Sequence, residues 1–304
     1  MIEYLTSKSG ELSVRQRGGA ASASWIRCEK PSDDELSEIV GWGLDADIIS
    51  DALDPHEVPR VDQEDDHTYF ITRVPDVGDA FNSFTTPIMF VLGSDSIITI
   101  SRDPLGRLWQ PFIDKTRVAS NNQNQLFLLM VDMIVRQYDS RVAAINRQMR
   151  ALTSDVIGLH SRDIATFTEY ERKLNDYLDA LIPMNVAVEK LLGGRILKLG
   201  EDDTDLVEDL SIDLEQVMSR CKSLLRTMTN VRDSYRAVMD TRLNETMRIL
   251  TVATLALTIP TMLAGLFGMN VNLPGMDYPY MFWVIAGVSV GVSAGVVYYF
   301  IKKR

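Results

Sequence analysis

Apolar and polar positions change rhythm twice along this chain. Short apolar runs at Ser24–Cys28, Thr68–Val74, Pro87–Leu92 and Ile97–Ser101 predict strands. Between the first two, PSDDE sets Ser32 three residues before Glu35, a capping box that predicts a helix to about Val40. A further helix is expected over Asp45–Leu53. Residues 1–120 therefore predict a compact α/β domain. From about Asn121 the rhythm becomes helical, and Tyr138, Val142, Ile145, Met149, Leu152, Val156 and Leu159 alternate spacings of four and three. A break near Gly158–Ser161 precedes a second helix, expected to run to Leu192 through Pro183 and to stop at Gly193–Gly194. Residues 121–200 thus predict long antiparallel helices. Leu210, Leu214, Val217, Cys221, Leu224, Met228, Val231, Tyr235 and Val238 then keep a heptad seam. Nothing between Asp205 and Ile259 breaks a helix. One helix from Asp205 to Phe267 would be roughly 95 Å long, and neighbouring helices or other copies must cover its seam.

The second change comes at Ile249. No charged residue occurs from Ile249 to Met276, and a second uncharged run extends from Tyr278 to Ile301. Each is long enough to cross a hydrocarbon core, which takes about 20 residues of helix. The expected order is a stalk over 201–248, a first span over 249–270, a loop over 271–279, and a second span with a basic tail over 280–304. Arg242 and Arg248 precede the first span, Lys302, Lys303 and Arg304 close the second, and the loop holds no Lys or Arg. The positive-inside rule then puts both termini in the cytoplasm of a plasma (inner) membrane protein. Tyr278, Tyr280, Phe282 and Trp283 are expected at the outer interface, and Tyr298, Tyr299 and Phe300 at the inner one. The start of the chain lacks the apolar core of a signal peptide, in keeping with a cytoplasmic N-terminus. The fold class is an α/β cytosolic N-terminal domain followed by long helices and two C-terminal transmembrane helices.

Composition narrows the function. The 304 residues carry a net charge of −11, which argues against nucleic acid as a partner. Cys28 and Cys221 lie far apart, outside ligand spacing, and fit a reducing compartment. His56, His67 and His160 are scattered, so a zinc site is not expected. No nucleophile motif, phosphate-binding glycine loop or catalytic dyad occurs, and no enzymatic activity or organic cofactor is expected.

The first span ends in Gly268-Met269-Asn270. With two C-terminal spans, a long cytosolic helix before them and a Lys-rich tail after them, this constellation resembles the CorA family of magnesium channels. The match is closest over Asn244–Asn270, NETMRILTVATLALTIPTMLAGLFGMN; elsewhere it is one of architecture. The resemblance implies a homopentamer whose first spans line a pore, with Gly268, Met269 and Asn270 as the outer selectivity ring. It implies Mg²⁺ as cargo and regulator, with Co²⁺ and Ni²⁺ as further cargo. Family loops often carry an acidic stretch after the motif, whereas this loop offers only Asp277.

The residue chemistry agrees. Mg²⁺ loses water reluctantly, so a pore should hold it with several waters in place, and a ring of amides offers those waters neutral acceptors. Gly268 is expected to free the backbone from the helix. Asn244, Met247, Thr251, Thr254, Thr258 and Thr261 share one helical face and are read as pore lining, with packing between spans as the alternative. Met247 and Leu250 would form a hydrophobic constriction. In the second span, Gly287, Gly291 and Gly295 are read as a close-packing stripe.

The run EDDTDLVEDLSIDLE has two readings. It is a solvated helix start with acids favouring the dipole, or it supplies carboxylates that share a cation between subunits. Counting back from the motif without gaps, Asp209 falls where the family carries a stalk aspartate for regulatory Mg²⁺, and Asp213 follows one turn on. The N-terminal acids Asp62, Glu64, Asp65 and Asp66 are possible partners. By the same count Asp233 faces the cytosolic vestibule. A zinc transporter of the same superfamily, with proton coupling, is the alternative function. The intact tripeptide speaks against it.

Overall fold

A computed structural model of the chain describes residues 1–8, 11–15, 23–64, 66–75, 84–93, 96–115, 123–153, 161–193, 196–197, 199–270 and 280–302. Contacts divide it into two units, Met1–Val231 and Arg232–Arg304.

The first unit is built on seven strands: β1 (Ile2–Lys8), β2 (Glu11–Arg15), β3 (Trp25–Glu29), β4 (Arg60–Glu64), β5 (His67–Pro75), β6 (Thr85–Leu92) and β7 (Ile97–Ser101). They form one sheet in the order β2-β1-β3-β7-β6-β5-β4. Every neighbouring pair is antiparallel except β3 and β7. All residues of β6 and β7 are buried, as expected of strands covered on both faces. One face packs on α1 (Asp33–Val40) and α2 (Ala46–Ala52) through Ile39, Ile48, Ile49, Tyr69, Ile71, Met89 and Val91. The capping box at α1 is formed as expected, and Asp45 caps α2 by accepting from the Asp47 and Ile48 amides.

The opposite face is aromatic. Phe70 and Phe90 meet Phe127 edge-on at centroid distances of 5.2 and 5.4 Å, and Trp25 meets Trp109 at 5.1 Å. Trp109 lies on α3 (Gly106–Lys115) and Phe127 on α4 (Gln123–Thr153). The Trp25 indole N–H is satisfied by Thr99 Oγ1 at 2.9 Å. Tyr138 of α4 donates its hydroxyl to the Arg73 carbonyl of β5 at 3.0 Å, and burial raises that phenol well above its ordinary pKa.

α5 (Ser161–Leu192) contains Pro183 and ends as expected, while the expected break near Gly158–Ser161 lies outside the described residues up to the start of α5. α6 (Glu201–Phe267) is one unbroken helix. Its seam is buried from Leu210 to Met228 and half-buried from Val231 to Val238. Ser211 donates to Asn185 of α5, and Arg220 pairs with Asp139 of α4, so helices of the same chain cover its upper half. α6 therefore begins as a core helix.

In the second unit α6 continues beside α7 (Met281–Lys302), and both are apolar and long enough to cross a membrane. Leu257 is 71% and Trp283 74% exposed, which a soluble core would not leave open. The aromatic face predicts where stability resides. Phe90, fully buried between Phe70 and Phe127, should cost about 3–5 kcal/mol when replaced by Ala. Denaturant unfolding of the detergent-solubilised protein, followed by tryptophan fluorescence, reads that loss.

Candidate ion pathway and cytosolic acids

The side of α6 that meets α7 carries the half-buried residues Arg248, Val252, Ala256, Ile259, Leu263 and Phe267. Asn244, Met247, Thr251, Thr254, Thr258 and Thr261 are all exposed, and at 100° per residue they fall on the opposite side. Leu250 lies beside them, 59% exposed. No second span of this chain covers the stripe.

Each stripe threonine donates its hydroxyl backwards. Thr251, Thr254, Thr258 and Thr261 bond the carbonyls of Met247, Leu250, Thr254 and Leu257, each at 2.8 Å. A hydroxyl has one donor and two acceptor sites. With the donor committed to the helix, the oxygen keeps acceptor capacity toward the open face. Helix self-bonding and an outward polar stripe thus coexist.

α6 stops at the motif. The Gly268 amide still donates to Ala264 at 2.9 Å, and the Met269 amide tightens to Leu266 at 3.4 Å. Gly268 directly follows the last residue of α6 and does not adopt positive φ. A Cβ there would sit 3.1 Å from the Ala264 carbonyl oxygen. Met269 is 52% exposed and Asn270 is exposed at the same end. Asp277 lies outside the described residues.

The end of the spans away from the motif holds a contact that the sequence did not suggest. Arg248 donates to the Phe300 carbonyl, in the last turn of α7. Arg248 read as a topology signal, yet a cation facing the unpaired carbonyls of a helix C-terminus is a recognised stabilising arrangement. In α7 the residues facing α6 include Ser289 and Ser293, whereas Gly287, Gly291 and Gly295 are more open, and a Cβ on any of the three would meet nothing within 4 Å. The glycine stripe does not pack the two spans of one chain together.

The acids singled out in the sequence separate by environment. Asp209 is exposed. Asp213 is half-buried and close enough to Arg136 of α4 to raise its pKa, after the larger contribution of the Asp132 hydrogen bond. Asp62 pairs with Arg60, Asp233 pairs with Arg236 at 3.5 Å, and Asp65 lies outside the described residues. Among the described residues no three His, Cys, Asp or Glu side chains are grouped to hold a metal. His160 lies outside them. Cys28 and Cys221 are buried, and burial pushes both thiols up to about 12.

A family model described as CorA-like Mg2+ transporter protein matches residues 20–304. The chain belongs to that family. It is a membrane protein with two C-terminal spans, in a family of channels rather than enzymes. A cobalt/magnesium transport protein CorA of Methanocaldococcus jannaschii is 25% identical over 91% of this chain and 89% of its own length. The complete structure of the CorA magnesium transporter from that organism matches with a TM-score of 0.87 at 21% identity, covering 100% of this chain and 98% of the other. The full-length CmaX protein matches with a TM-score of 0.79 at 16% identity, covering 99% and 97%. At these identities the structures establish the CorA full-length fold.

The raised thiols yield a direct test. Thiolate is the reactive form, so at pH 7 neither Cys28 nor Cys221 should react with a maleimide in the folded protein. Mass spectrometry should find no adduct before denaturation and two afterwards.

Proposed function

We propose that this chain is a channel for Mg²⁺, and for Co²⁺ and Ni²⁺, assembled as a homopentamer in the plasma (inner) membrane with both termini in the cytoplasm. The observation that carries the reading is the exposed stripe from Asn244 to Thr261, on the side of α6 away from α7 and ending at Gly268-Met269-Asn270. A polar face in a membrane requires a partner other than lipid. Copies of α6 arranged around an axis supply one, since their stripes then face shared water.

A hydrated Mg²⁺ presents water hydrogens outward, and the stripe presents acceptor oxygens. The carboxamide of Asn270 supplies another neutral acceptor at the mouth. Neutral groups bind a divalent ion weakly enough to release it, which conduction requires. The helix C-terminus at Phe267 adds partial negative charge. Met247 and Leu250 form the apolar constriction nearer the cytosol. Cobalt and magnesium are the ions in the name of the Methanocaldococcus relative, and both are carried over here. Inward movement of a divalent ion through roughly 100 mV releases about 4.6 kcal/mol, a bias of about two thousandfold without ATP.

Regulation rests on Asp209. Its exposed carboxylate is available to a neighbouring subunit, whereas Asp213 is half-buried in its own chain. Cytosolic Mg²⁺ shared between subunits at Asp209 would neutralise like charges and favour the closed state, to the extent that the ion binds that state more tightly.

Two outcomes check this reading. Asn270→Ala should reduce Mg²⁺ flux into proteoliposomes at least tenfold, with the pentamer intact by native mass spectrometry; wild-type flux would leave the motif as a turn only. Asp209→Ala should raise the internal Mg²⁺ needed to halve the current, and adding Asp213→Ala should change little more. Closure of Asp209→Ala at the wild-type concentration would place the sensor elsewhere.

A further inference from the structure

Pro260 lies inside α6, five residues after Leu255 and eight before Gly268. Proline has no amide hydrogen, so the carbonyl four residues earlier, that of Ala256, loses its helical donor. At membrane depth no water replaces it, and an unsatisfied carbonyl there is costly. The structure supplies a substitute from the other span: Ser293 of α7 donates its hydroxyl to the Ala256 carbonyl at 2.9 Å. The next carbonyl, of Leu257, receives the Thr261 hydroxyl at 2.8 Å. Thus the two carbonyls beside the proline ring both receive side-chain hydroxyls, one from the α7 side and one from the stripe.

Ser293 differs from its neighbour in this respect. Ser289 turns its hydroxyl back to Ile285 of its own helix at 2.7 Å, which is the usual choice for serine in a span. Ser293 instead reaches across to the one α6 carbonyl in the span that Pro260 deprives of an amide partner.

We propose that Ser293 is a positioning residue for conduction: by occupying the Ala256 carbonyl it fixes the helix geometry at Pro260. That geometry sets how Thr254 and Thr258, before the proline, align with Thr261 and Asn270, beyond it. This rests on the reading of α6 as the pore helix. Ser293 touches no ion; it acts through the backbone of α6, where a proline would otherwise leave a loose joint.

The pairing predicts a specific dependence between two residues. Ser293→Ala removes the donor, and maximal Mg²⁺ flux should fall roughly three- to tenfold. Half-saturating Mg²⁺ should stay at the wild-type value, because capture at Asn270 is untouched. Ser293→Thr keeps a hydroxyl and should retain flux. Pro260→Ala restores an amide to Ala256, so in that background Ser293→Ala should have no further effect. Native mass spectrometry follows assembly in each variant; if Ser293→Ala alone fails to assemble, the double variant must assemble. Wild-type flux in Ser293→Ala, an equal fall in both backgrounds, loss of flux in Ser293→Thr, or failure of the double variant to assemble would each overturn the proposal. Asn270→Ala measured alongside separates the two levels. If it lowers flux while Ser293→Ala leaves flux at the wild-type value, the bond is dispensable and the pore reading stands. If Asn270→Ala conducts normally, the pore reading itself fails.

Discussion

Hydrocarbon offers no water to a backbone carbonyl, so each peptide group of α6 and α7 at membrane depth must find its partner within protein. Continuous helices meet that demand almost everywhere, and the departures from regularity are met one by one. Pro260 removes an amide and Ser293 replaces it. In the last turn of α7, Arg248 donates to the Phe300 carbonyl. The threonines, which would otherwise bring hydroxyls into lipid with nothing to bond, turn them back on their own helix.

The same constraint explains which parts of the fold were legible in the sequence. A strand buried on both faces carries a mostly apolar run, so β5, β6 and β7 stood out, and Ile97–Ser101 was bounded to the residue. The edge strands did not. Arg60–Glu64 has three charged residues in five, and it pairs on one side only, where charge guards against further pairing and hides the strand pattern. The hairpin of β1 and β2 at the other edge was missed in the same way, and α3 was obscured by its internal Pro111. Long helices were easy, because a heptad seam as regular as Leu210–Met228 has few alternatives.

The candidate site was legible as residues and not as contacts. Periodicity placed the stripe on one face, but only the position of α7 tells that this face is the uncovered one. Spacing set Asp209 and Asp213 one turn apart, and only the fold shows that the first is exposed and the second half-buried. The Ser293–Ala256 bond depends on the register between two helices separated by the loop, which no local pattern encodes.

The direction of the stripe hydroxyls has a bearing on what else can travel along that face. Protons cross membranes by hopping, and a hydroxyl relays one only if it can release its hydrogen forward while accepting another behind. In Thr251, Thr254, Thr258 and Thr261 every hydrogen points back into the helix. Such a row is a poor relay, so the stripe contributes no proton wire of its own.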